Sequence, residues 1–264
     1  MSETAPILVF DSGVGGFTVL AEIRKLLPDA PIVYAADTAG LPYGDKGEAE
    51  ITARVAGMLG RMTERFAPRL ACIACNTAST IALGMARDVL DLPIVGTVPA
   101  IKPAAAMTET GTIGLLGTAA TIRQPYVDQL EADHAVGKTL LRHAAPELVE
   151  LAEAKMCGER VSVDDVLDAA KGLVLQPCGA DIDVVVLACT HFPLLTAELA
   201  EALGKHIAFI DGAEGIARRV ADLTKGQTFR RVGDDRFIVT GPLDRVANLA
   251  PALARYGLGP PERL

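Results

Sequence analysis

What the chain has little of narrows its chemistry before any motif is read. It lacks a basic cluster: 25 Lys and Arg stand against 33 Asp and Glu, a formal net charge of −8. Without a positive patch there is no electrostatic footprint for a phosphate backbone or an anionic bilayer, so neither nucleic acid nor membrane is an expected partner. No apolar run reaches the roughly 18 residues of a spanning helix. The opening stretch MSETAPILVF has neither the basic flank nor the long apolar core of a secretory signal, and a cytoplasmic protein is expected. Cysteine is scarce and odd in number: Cys72, Cys75, Cys157, Cys178 and Cys189 do not make a disulfide framework. Cys72 and Cys75 form one C-x-x-C, with no second to complete a metal site. His134, His143, His191 and His206 show no ligand spacing, so no metal is expected. The glycine-rich stretch at 11–16 is not G-x-G-x-x-G and lacks the Gly-Lys-Ser/Thr of a phosphate loop.

What is present is globular. Half of the 264 residues are hydrophobic, and 25 Gly with 16 Pro supply turns, enough for one large or two modest domains. Pro6 to Phe10 reads as a strand, followed by the tight turn DSGVGG and a helix to Leu27. Pro31 to Ala36 and Leu70 to Ala74 read as further strands, the second leading into Cys75-Asn76-Thr77, where Asn76 or Thr77 is placed to cap a helix. Pro93 to Thr97 is another. Pro99 and Pro103 then mark a joint. Strands recur at Thr112 to Leu116 and from Ile182 into Cys189, where Pro193 predicts a helix start. A strand ends at Asp211. Phe237 to Thr240 gives a late strand, and Val246 to Tyr256 a closing helix.

The units repeat. PILVFDSG matches GTIGLLGT, LACIACNT matches VVVLACTH, and IVYAADTA matches IAFIDGAE. The pattern predicts a duplicated α/β architecture: two similar flavodoxin-like or Rossmann-type three-layer domains, pseudo-twofold related, with mostly parallel sheets and the site in the cleft between them. Residues 1–98 with 211–264 are expected to form the first domain, and 99–210 the second.

In such sheets ligands bind at the carboxyl ends of strands, where Cys75 and Cys189 both fall. Two thiols at equivalent ends of facing domains would flank a substrate carbon. One can remove a proton while the other returns one, a 1,1-proton transfer that inverts a stereocentre without a cofactor. Free thiols titrate near about 8.5, so a modest downward shift, helped by helix N-termini, would suffice. Asp11 is placed to relay a proton near Cys75, and His191 near Cys189. Ser12, Asn76, Thr77, Thr118, Thr121 and Thr190 offer neutral donors for a small zwitterion. None of these loops carries an Arg or Lys clamp, so carboxylate binding would rest on them and on helix N-termini.

These motifs resemble the glutamate racemase family of the aspartate/glutamate racemase superfamily. The residues that carry the resemblance are DSGVGG (11–16), PYG (42–44), CNTAS (75–79), GT-x-x-TI (117–122), CTHFPLL (189–195) and, more weakly, FIVTG (237–241). The resemblance implies cofactor-independent interconversion of L- and D-glutamate for peptidoglycan synthesis, and it is compatible with a homodimer. It implies catalytic roles for Cys75, Cys189, Asp11 and His191. A Pro-x-x-x-x-Leu-x-Glu pattern adds Glu153, with Glu147 and Glu150 close by. It implies substrate contacts at Ser12, Pro42, Tyr43, Gly44, Asn76, Thr77, Thr118, Thr121 and Thr190. Three positions depart from the family's usual pattern. Ala188 replaces a glycine before the second cysteine, Gly40 stands where a basic residue is usual, and Gly47 where serine is frequent. These bear on loop conformation, assembly and substrate preference. The alternatives are a racemase for aspartate or another amino acid, and a non-catalytic amino-acid-binding regulator.

Overall fold

The structure, a computed structural model, describes residues 2–264. The chain opens with β1 (Ile7–Asp11), α1 (Phe17–Leu26), β2 (Ile32–Ala36), α2 (Glu48–Phe66), β3 (Leu70–Ile73), α3 (Asn76–Val89) and β4 (Ile94–Gly96). A second series follows: α4 (Ile101–Met107), β5 (Thr112–Gly117), α5 (Ala119–Ile122), α6 (Pro125–His134), β6 (Thr139–Ala144), α7 (Glu147–Met156), α8 (Val163–Val174), β7 (Ile182–Ala188), α9 (Thr196–Leu203) and β8 (Ala208–Ile210). The tail adds α10 (Ala213–Leu223), β9 (Asp235–Val239), α11 (Ala250–Arg255) and β10 (Leu258–Arg263).

The strands form a six-stranded sheet, order β10-β9-β2-β1-β3-β4, and a four-stranded sheet, order β6-β5-β7-β8. Every pairing is parallel. Parallel strands need crossovers, and the crossing helices cover both faces, which is why the central strands such as β1, β5 and β7 read as apolar runs rather than alternating. In the first sheet Ile7 and Val9 pack with α1 and α10 through Leu20, Ile23, Ile216 and Val220. Leu8 and Phe10 pack on the other face with Ile51, Val55 and Leu59 of α2. In the second sheet Val185 and Leu187 meet Leu148, Val166 and Leu199, and Ile113 and Leu115 meet Ile101 and Val127. Each sheet is thus the middle of three layers.

The expected duplication is present in the strand orders, since 2-1-3-4 and 6-5-7-8 superimpose by position. One expected match is overturned. IVYAADTA lies on β2, whose counterpart is β6, whereas IAFIDGAE lies on β8, whose counterpart is β4. β6 escapes sequence reading because it is a half-exposed edge strand carrying Arg142 and His143. β10 escapes because it contains Pro260 and Pro261, which only an edge tolerates. Pro103 falls in the first turn of α4, where a missing N–H costs no helical bond. Among the described residues no helix is long and apolar enough to cross a membrane.

Four aromatic rings cluster where the tail meets the first sheet. Phe17 contacts Tyr34 and Tyr256 at centroid distances of 4.8 and 4.9 Å, and Tyr34 contacts Phe237 at 5.7 Å. Asp235 adds a polar anchor: it accepts from Ile32 N at 2.9 Å and pairs with Arg24 and Arg231. The Nε atoms of both arginines are buried without partners, so their remaining contacts matter more. Replacing Asp235 by Ala leaves two guanidinium groups uncompensated. The expected cost is about 2–3 kcal/mol, below the range for fully buried pairs because both arginines keep some solvent contact. Urea unfolding of Asp235→Ala against wild type measures it.

Candidate active site

Both sheets reverse direction at their centres. From β1 the chain goes to β2 on one side and β3 on the other, and β5 is flanked by β6 and β7 in the same way. These switch points leave crevices at the strands' carboxyl ends. The loop after β1 and Cys75 line one crevice, and Thr118 and Cys189 line the other.

Cys75 follows β3 by two residues. The turn is held by Thr97, whose hydroxyl donates to the carbonyls of Ile73 and Ala74 at 2.8 Å each, and by Ser79, which donates to Ile73 O at 3.0 Å. Cys75 itself is the N-cap of α3, not Asn76 or Thr77: its Sγ accepts from Ala78 N at 3.5 Å. The cap does not bring the thiol toward thiolate as expected from a helix N-terminus. Burial pushes Cys75 well up, the Asp11 charge adds to this, and the Ala78 N–H only partly offsets them.

Asp11, fully buried at the end of β1, connects to this thiol through Ser12. Ser12 Oγ donates to Asp11 Oδ1 at 3.2 Å and lies 4.0 Å from Cys75 Sγ. Gly13 N also donates to Oδ1 at 3.2 Å. Burial raises the Asp11 carboxyl above its ordinary value, against the lowering effects of His191, Thr190 and Gly13.

The second thiol follows β7. Cys189 Sγ lies 3.9 Å from His191 Nδ1, and His191 Nε2 lies 2.8 Å from Glu153 Oε1 on α7. Burial disfavours the imidazolium, but its hydrogen bonds to Cys189 and Glu153 outweigh this and raise His191 well above its ordinary value. Of the three clustered glutamates, Glu153 is the one that reaches the site. Glu147 and Glu150 line a separate groove with Asp165 and Asp168. The helix expected from Pro193 is a single 3-10 turn, Phe192–Leu195, and α9 begins only at Thr196.

The two sides touch. Thr190 Oγ1 donates to Asp11 Oδ2 at 2.8 Å, and Val14 N donates to Glu153 Oε1 at 2.8 Å. This explains the glycines of DSGVGG. A Cβ at Gly13 would overlap Glu153 Oε1, and one at Gly15 would lie 2.6 Å from Thr190 Oγ1 and 2.8 Å from His191 N. The turn is bare so that the two halves can close, not to cradle a phosphate. Thr77, Thr118 and Thr121 form a buried triangle of hydroxyls with Oγ–Oγ distances of 3.0, 3.2 and 3.0 Å, again from both halves. Among the described residues none hydrogen-bonds the side-chain amide of buried Asn76, which borders a small cavity with Cys189 and Thr190.

Pro42, Tyr43 and Gly44 approach from the first half, with Gly44 backed against Thr118. The Tyr43 hydroxyl is committed to Asp37 at 2.7 Å, so only its backbone and ring edge remain for a ligand. Sequence reasoning missed Asp37, its partners Arg54 and Thr240, and Tyr34, which donates to Gly13 O at 2.8 Å. Asp37, just ahead of the PYG loop, was the available signal. Cys72 and Cys75 belong to cores on opposite faces of the sheet, so the C-x-x-C is no unit. Burial pushes Cys72 up to about 12. Among the described residues no group of three or more metal-ligating side chains is gathered.

The family profile for Asp/Glu/Hydantoin racemase matches residues 18–220. The chain belongs to this family. A glutamate racemase of Sphingopyxis alaskensis is 60% identical over 256 residues, covering 97% of this chain and 96% of that one. One of Pectobacterium carotovorum is 43% identical over 260 residues, covering 98% and 90%. Among solved structures, the Escherichia coli glutamate racemase in complex with L-glutamate and the activator UDP-MurNAc-ala superimposes with a TM-score of 0.91 at 40% identity, covering 98% of both chains. The chain is accordingly an isomerase of the racemase type, with the two pseudo-symmetric halves of such structures. Ala188, the departure beside Cys189, is fully buried among the residues under β5 and β7.

The His191–Glu153 link gives a signed pH dependence. His191 in the fold titrates above its unfolded value of about 6.5, so its contribution to stability is complete below that pH. It is lost as pH rises through the raised value. The difference in melting temperature between wild type and His191→Gln should therefore be larger at mildly acidic than at alkaline pH. A difference that grows with pH contradicts the assignment.

Proposed function

We propose that the protein interconverts L- and D-glutamate by a two-base proton transfer at Cα, with Cys75 and Cys189 on opposite faces of the substrate. It uses no cofactor, and its D-glutamate supplies peptidoglycan synthesis. Sequence similarity to relatives named glutamate racemase supports the substrate. The observation that carries the mechanism is the pair of thiols at equivalent strand ends, each with its own route to a carboxylate. Cys75 reaches Asp11 through Ser12, and Cys189 reaches Glu153 through His191.

In one direction a thiolate takes the Cα proton, and the electron pair left on carbon delocalises into the α-carboxylate. The opposite thiol then gives its proton to the other face of Cα. The enzyme ends with the thiol and thiolate exchanged, and the side-chain relays restore the starting state. In that direction Cys75, whose thiol form burial favours, is the acid, and for the opposite enantiomer the two thiols exchange roles. His191, raised toward imidazolium, is a proton source beside Cys189. Charge developing on the substrate carboxylate is met by the first N–H groups of α3, by Asn76 and by the threonine triangle. Fixed donors of this kind cost no reorganisation as the charge appears, and they take the place of a cationic clamp.

The test is chiral analysis of glutamate incubated with the purified protein and no added cofactor, alongside aspartate and other amino acids. Racemisation of glutamate in preference to the others is expected. Cys75→Ala and Cys189→Ala should each lower the rate by about 10²–10⁴-fold, the worth of a general acid or base. Racemisation that survives loss of either thiol rules out the two-cysteine route, and binding of glutamate without turnover favours a regulator.

A further inference from the structure

Asp37 stands one residue beyond β2, on the same sheet edge as Asp11, and is 1% exposed. A buried carboxylate must be matched by donors. Tyr43 donates its hydroxyl to Oδ2 at 2.7 Å. Arg54, on α2, grips both oxygens, Nε to Oδ2 at 2.6 Å and Nη2 to Oδ1 at 3.0 Å. Thr240, just past β9, donates to Oδ1 at 2.6 Å. Burial works against the charge, but the hydrogen bonds from Arg54, Thr240 and Tyr43 outweigh it and hold Asp37 below the usual carboxylate range. One carboxylate therefore ties together the end of β2, the PYG loop, α2 and the tail.

The loop so held is a wall of the candidate site. Gly44, next to Tyr43, abuts Thr118: a Cβ there would come within 3.0 Å of Thr118 Cβ. Thr118 is a corner of the hydroxyl triangle and caps α5. Gly40 completes the arrangement. Its φ is not positive, so the backbone does not demand glycine. Space does: a Cβ at Gly40 would overlap both the Arg54 guanidinium and Asp37 Oδ2. The Arg54 guanidinium from α2 fills the space beside Gly40 that a side chain there would need.

We propose that Asp37 and Arg54 are positioning residues, which clamp Tyr43, hold Pro42–Gly44 against Thr118 and thereby set substrate affinity without entering the proton transfer. The kinetic consequence rests on the racemase reading, whereas the ordering of the loop does not.

Two readouts on Arg54→Ala and Asp37→Asn test it. Hydrogen exchange of the whole protein should speed up across 41–47 while β1 and β3 keep their protection. Racemisation should show KM raised about tenfold to a hundredfold, the worth of a charge-assisted hydrogen bond, with kcat near wild type. Unchanged exchange and KM in Arg54→Ala overturn the proposal. So does a loss confined to kcat, which would assign the pair to chemistry. Should thermal melting show that either variant is unfolded, Arg54→Lys decides: it keeps the charge without the fork, so intermediate KM and exchange are expected, and wild-type values overturn the proposal. If wild-type protein does not racemise glutamate, the functional reading falls, and exchange across 41–47 still decides the clamp.

Discussion

Asp11 is a carboxylate with no solvent contact and donors from both halves of the molecule. Ser12 and Gly13 serve one oxygen, and Thr190, from the opposite sheet, serves the other. Burial raises its pKa, and the hydrogen bonds from Thr190 and Gly13 partly offset that rise. Thr190 is the neighbour of Cys189, and Ser12 bridges to Cys75. The closure of the two halves and the wiring of the two thiols are thus one constraint. Gly13 and Gly15 make room for it, and the Val14–Glu153 hydrogen bond repeats it a few residues away.

The duplication supplies matched strand ends, but the two relays are chemically different. One runs through a hydroxyl, which must pass a proton on as it accepts one. The other runs through an imidazole, which can hold the charge itself. A reversible reaction on two mirror-related substrates needs matched rates, not matched residues.

Much of this was legible in the sequence because parallel strands buried on both faces read as apolar runs, and the polar residues that interrupt them mark the sheet edge. Asp11, Cys75 and Cys189 stand at such interruptions. Glu153 did not: nothing local separates it from Glu147 and Glu150, and only the turn of α7 aims it at His191. The repeat was read correctly at β1 and β3 but wrongly at β2, because β8 shares a letter pattern with β2 while β6, the true counterpart, is a polar edge strand. The Asp37 clamp was hidden for a different reason. Its members are separated by up to 203 residues, and no local pattern links a threonine after β9 to a tyrosine before α2.

In the proposed mechanism two different groups handle the proton on the two faces of Cα. Conversion of L-glutamate in D2O, stopped at low conversion, tests it directly by mass analysis of each enantiomer. A two-base transfer places solvent deuterium at Cα in the D-glutamate formed, with little in the L-glutamate that remains. D-glutamate that keeps the substrate's own protium would mean that a single group carries the proton across, which rules out the two-base transfer.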